Sequence, residues 1–124
     1  MATFDINKAL DQLDGDLETL AVLVSTFQRI TPTQLAQMDG AIDADDGAAL
    51  AATAHRFEGS LGVLGAGPAL ELTRQLEVQA READFVRARE TLNALRTECH
   101  QLTEDLRAEL GTRSAKLGTR GAEA

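Results

Sequence analysis

The strongest constraint on the fold lies near the C-terminus, where Ala88, Leu92, Leu95, Cys99, Leu102, Leu106 and Leu110 follow one another at gaps of three and four. That spacing puts all seven on one stripe of an α-helix. A stripe this long must be buried, so the helix has to lie along partners of similar length. The rest of the chain supplies them. Asp5 is placed to cap a short first helix through Leu13, and Gly15 breaks it. Asp16 can cap the next helix, whose Leu17, Leu20, Val24 and Phe27 share one face. Thr31-Pro32 predicts a kink or restart there, after which Leu35, Met38 and Ile42 continue the apolar face. Asp43 to Gly47 reads as a turn, with Asp45 or Asp46 as the following cap.

A third helix is predicted from Ala48 to Leu64, with Leu50, Ala54, Phe57, Leu61 and Leu64 inward. Gly65-Ala66-Gly67-Pro68 ends it and starts the next. The fourth spans Ala69 to Glu82, turns Leu72, Leu76 and Ala80 inward, and can pair Glu77 with Arg81 at the i,i+4 spacing. Asp84 can cap the last helix. Together these elements predict an all-α fold, an antiparallel up-down four-helix bundle with a short extra N-terminal helix. It occupies residues 4–111, and the patternless segment 112–124 is expected to be a disordered C-terminal tail.

Composition agrees with this class and narrows the partners. The 124 residues suit one domain and include no Trp or Tyr and only two prolines. The formal net charge is −8 with no basic stripe, which argues against nucleic acid and against an anionic membrane surface. A single cysteine, Cys99, cannot form an internal disulfide. It lies on the apolar stripe and reads as a small core residue, as do Met38 and the four phenylalanines. The N-terminus has no basic start followed by an apolar run, and no apolar stretch approaches the ~20 residues that span a bilayer. A cytoplasmic monomer, free-standing from Met1, is the expectation.

Bundle scaffolding does not explain the outer face of the third helix. His55 lies about 100° around the helix from the core residue Ala54. Ala48, Ala51 and Ala52 precede it, and Glu58, Gly59 and Gly62 follow, so its surroundings are small side chains except for Glu58. Each mid-helix glycine costs about 1 kcal/mol relative to alanine. Two of them on an exposed face are best explained by access, allowing another protein to bring its backbone close to the imidazole. Imidazole suits phosphoryl carriage, because its neutral form is a nucleophile near pH 7 and its protonated form a good leaving group.

The run Ala54-His55-Arg56-Phe57-Glu58-Gly59-Ser60, followed by Leu64-Gly65-Ala66, resembles the A-H-x-L-K-G-S…L-G-A signature of histidine phosphotransfer (HPt) domains. The likeness extends to Phe4-Asp5, Gly15-Asp16, Phe27, Pro32, Asp45-Asp46 and Leu76-Glu77, and so covers about residues 4–110. It implies a four-helix bundle and reversible phosphorylation of His55 on Nε2. The implied partners are response-regulator receiver domains and hybrid or sensor histidine kinases. Ala51, Ala52, Arg56, Glu58, Gly59 and Gly62 would border the docking surface. No cofactor is implied for this chain, since Mg²⁺ would belong to the receiver. No nucleotide-binding motif accompanies the signature, so a carrier without kinase activity of its own is expected.

One position departs from the family pattern. Glu58 stands where the family usually carries lysine, three residues after the histidine. A phosphoryl charge near −2 at ~6 Å would be repelled by about 1.4 kcal/mol in water. Glu58 is therefore expected to disfavour the phosphorylated state, with Arg56 or Arg74 as substitute cations. It also keeps open an alternative, a phosphorylation-independent helical adaptor that binds a receiver or kinase. Metal binding is not expected: His55 and Glu58 could be half of a carboxylate–histidine site, but no second such pair is present. The acidic residues of 39–46 lack calcium-loop spacing. His100, among Glu98, Gln101 and Glu104, reads as a solvated surface residue.

Overall fold

The computed structural model describes residues 2–123, with side chains through Arg113. It contains five helices: α1 (Ile6–Gln12), α2 (Leu17–Asp43), α3 (Gly47–Val63), α4 (Gly67–Arg81) and α5 (Phe85–Glu123). Each short connection reverses the chain, so α2 to α5 run up and down. α2 packs on α3, α3 on α4, α4 on α5, and α5 returns to α2, closing the predicted bundle. Among the described residues there is no strand, and no helix is long and apolar enough to cross a membrane.

The caps follow the aspartates. Asp5, Asp16 and Asp46 each accept a backbone N–H three residues on, at 3.0–3.2 Å, and Asp84 does the same for Arg87. Between them, Asp14, Gly15, Asp45, Gly65 and Ala83 take positive φ to reverse the chain. Gly65 is obligatory twice over. Its φ is 66°, and a Cβ there would come within 2.9 Å of the Asp5 carbonyl oxygen. That close approach lets Asp5 N–H donate to the Gly65 carbonyl at 3.0 Å, fastening α1 over the α3–α4 turn.

The core is the set of stripes read from the sequence. Leu50, Ala54, Phe57, Leu61 and Leu64 are buried, as are Ala88, Leu92, Leu95, Cys99, Leu102 and Leu106. Burial pushes the Cys99 thiol up to about 12, consistent with a packed, unreactive group. Phe27 and Phe57 stack with ring centroids 5.9 Å apart, which locks the rotation of α3 against α2. With Phe57 and Ala54 fixed inward, His55 has to face out.

Four local expectations change. α2 does not restart at Pro32; it is one helix throughout. The proline forfeits one backbone hydrogen bond, but the apolar face stays in phase through Thr31, Leu35 and Met38, all buried. On α4 Thr73 is fully buried, its hydroxyl donating to the Ala69 carbonyl at 2.8 Å, while Leu72 is half-buried. Phe4 and Phe85 pack on the core edge rather than inside it. Finally, helical backbone continues beyond Gly111 to Glu123, so the boundary expected at 111–112 is not an end of the helix. The Thr112 hydroxyl bonding the Ala108 carbonyl and the Arg113–Glu109 pair carry it past the apolar stripe. Side chains of the expected tail from 114 onward lie outside the described residues.

Candidate functional site

His55 sits at the middle of α3 with its side chain 76 % exposed. Its Nδ1 is 3.2 Å from Oε2 of Glu58, one turn along the same helix, and 3.5 Å from Oε1 of Glu77 on α4. Both carboxylates are largely buried, 16 % and 12 % exposed. The imidazole thus stands over two acids, with Nδ1 turned to them and the opposite ring edge toward solvent. Arg74 lies 3.7 Å from Glu58, and Arg81 pairs with Glu77. Burial is the main influence pushing the Glu58 carboxyl upward, followed by Glu77; His55 and Arg74 pull the other way.

The remaining predicted site residues flank this cluster. Ala52, Arg56 and Gly59 are exposed, and Ala51 and Gly62 half-buried. A Cβ added at Gly59 or Gly62 would meet nothing within 4 Å, so packing does not demand glycine at either place. Arg56 donates to the Thr53 hydroxyl at 3.2 Å, and among the described residues the arginine that pairs with Glu58 is Arg74. Of the two substitute cations, Arg74 is therefore the one at the site. Next to Gly59 a groove of about 270 Å³ runs between α2 and α3, lined by Leu23, Ile30, Ser60 and Val63 among others. The residues expected to border a docking surface all lie on α3, whereas the groove is lined by α2 as well.

Sequence reasoning missed Glu77 as a site residue. It read Glu77 only as the partner of Arg81, a pairing the structure keeps. The signal was present in the turn. His55 and Glu77 are each eleven positions from Ala66, and Glu58 and Arg74 each eight. In an antiparallel helical hairpin, residues equidistant from the turn face one another, so the α3–α4 turn fixes both pairs.

A four-helix bundle that holds an exposed imidazole at the middle of its third helix, α3, is the build of a histidine phosphotransfer protein. The family model described as Hpt domain matches residues 22–110, and the chain belongs to that family. Its general role is accordingly histidine phosphotransfer in phosphorelay signalling, the carrier role of Hpt domains. Among solved structures, the crystal structure of histidine-containing phosphotransfer protein B (HptB) from Pseudomonas aeruginosa PAO1 is similar. It superposes with a TM-score of 0.81 at 24% identity, covering 89% of this chain and 96% of that one. No curated protein matches the sequence.

Proposed function

We propose that His55 is the phosphoacceptor and that it exchanges its phosphoryl group with aspartates of receiver domains. The observation that carries this reading is the exposed imidazole whose Nδ1 faces Glu58 and Glu77. A ring proton on Nδ1 is favoured by those carboxylates, which leaves the lone pair on Nε2, toward the incoming partner. Nε2 attacks the phosphorus of an aspartyl phosphate, the P–O bond to the aspartate breaks, and the carboxylate leaves with that electron pair. The ring, still protonated on Nδ1, becomes cationic, and the two carboxylates stabilise it. Return of the phosphoryl group to another aspartate is the same step reversed.

The receiver would bring the Mg²⁺ that neutralises the phosphoryl oxygens. Gly59 and Gly62 let its backbone approach, with Ala51, Ala52, Arg56 and Glu58 at the border. The apolar groove beside Gly59 gives the partner a desolvated anchor. Hybrid or sensor histidine kinases would feed the relay through such receivers in the cytoplasm.

Incubation with a phosphorylated receiver tests the reading. Acid-labile label should pass to wild type and not to His55→Gln. No transfer from any receiver of the same cell would favour the adaptor, in which the bundle binds without chemistry.

A further inference from the structure

We propose that His55, Glu58 and Glu77 form a binding site for a divalent transition metal of the Zn²⁺ type, and that its occupation blocks His55 as a phosphoacceptor. On α3 alone, His55 and Glu58 are only half of a metal site. The α3–α4 register adds Glu77, and one donor atom from each of the three residues lies within 4.8 Å of the other two. Zn²⁺ holds N and O ligands at about 2.0–2.1 Å, so two ligands of a tetrahedral ion stand about 3.3 Å apart. The Nδ1 of His55 lies 3.2 Å and 3.5 Å from its two carboxylate neighbours, which fits that edge length with little movement.

The donor set fits as well. One imidazole and two carboxylates suit Zn²⁺, whereas Mg²⁺ prefers an octahedron of oxygens. Two anionic ligands would balance the ion's charge, and the exposure of His55 leaves a fourth position to water. Arg74 and Arg81, which now neutralise the acids, are 60 % and 65 % exposed and can swing into solvent at small cost. Glu58 is needed for this arrangement. A lysine there would remove a ligand and repel the ion, so the residue that departs from the family pattern is the one that completes the site.

The effect on His55 follows from counting ring protons. A neutral imidazole has one proton and one nitrogen lone pair. A metal on Nδ1 takes that lone pair and keeps the proton on Nε2, so no lone pair remains to attack phosphorus. Binding of the metal stands by itself; the block on phosphorylation rests on the carrier reading above.

Titration of the full chain with ZnCl₂, followed by the ring signals of both histidines in NMR and by calorimetry, tests the site. One equivalent should shift His55 saturably while His100 stays in place, and MgCl₂ should shift neither. Glu58→Gln and Glu77→Gln should each weaken binding at least about tenfold, the size of effect known for perturbed metal shells, with unchanged helical circular dichroism. Equal Zn²⁺ affinity in either variant, a response at His100 instead of His55, or equal binding of Mg²⁺ overturns the proposal. The block is read with phosphoramidate, from which Nε2 takes the phosphoryl group as the donor P–N bond breaks and ammonia leaves. Saturating Zn²⁺ should slow this at least about tenfold in wild type and much less in Glu77→Gln; equal rates with and without Zn²⁺ overturn the block. A wild type that accepts no phosphoryl group even without Zn²⁺ overturns the carrier reading, while the titration still decides the metal site.

Discussion

A carboxylate one turn from a phosphorylated imidazole acts on two charges of opposite sign. With His55 phosphorylated as proposed, Glu58 would repel the phosphoryl group by about 1.4 kcal/mol at ~6 Å in water, but attract the cationic ring by about 1 kcal/mol at ~4 Å. The first is what the sequence exposes, because lysine is expected there. The second depends on where the side chain goes, and it goes to Nδ1. The two nearly cancel, leaving roughly a twofold effect at most before screening. Glu58→Gln should therefore change the equilibrium between receiver aspartyl phosphate and phosphorylated His55 by less than about threefold. A tenfold gain in phosphohistidine, measured by label partition at equilibrium, would show that phosphoryl repulsion dominates and the ring contact counts for nothing. The site was thus legible in part. His55 and the small residues around it could be read from one helix, whereas Glu77 and the role of Arg74 required the pairing of two.

At the scale of the helix, the glycines of α3 fall into two kinds, one that packing requires and two that it does not. A Cβ at Gly47 would press within 2.6 Å of the Ala80 carbonyl oxygen, so that glycine is required where α3 meets α4. Gly59 and Gly62 face open space. Gly59→Ala should accordingly raise stability toward urea, by up to about 1 kcal/mol, because alanine is the better helix former. The same change should slow phosphoryl transfer from a receiver, since the added methyl stands between the two backbones. Increased stability with unaltered transfer would remove the access argument. The helices themselves were readable because apolar spacing of three and four leaves little choice of face. Their limits were less so. Pro32 signals a break locally, yet the buried face on either side of it keeps α2 whole, and the end of an apolar stripe at Leu110 does not end α5.

Closure of the bundle depends on α5 returning to α2, and there the apolar seam is reinforced by charge. Arg89 on α5 reaches both Asp39 and Asp43 of α2, and Arg96 lies 3.5 Å from Asp39. These residues are some fifty positions apart in sequence, so no periodicity within either helix announces the contact. The Arg89 hydrogen bond, aided by the charges of Arg89 and Arg96, holds the Asp39 carboxyl below its ordinary value of 3.8. A carboxylate lowered in the folded state stabilises the fold at every pH above its unfolded value, and that contribution fades as pH falls through the folded one. Asp39→Asn should therefore melt earlier than wild type at pH 7 and at pH 5. The gap should close as pH falls below 3.8 and on through the lowered folded value, where wild-type Asp39 takes up its proton and loses the same ion pairs. Because the group is near the surface, 1 M salt should narrow the difference at pH 7 as well. Thermal unfolding of both proteins across this range checks the expectation. A difference that persists unchanged at low pH would mean that the substituted amide disturbs packing between α2 and α5, and that the clamp contributes through shape rather than charge.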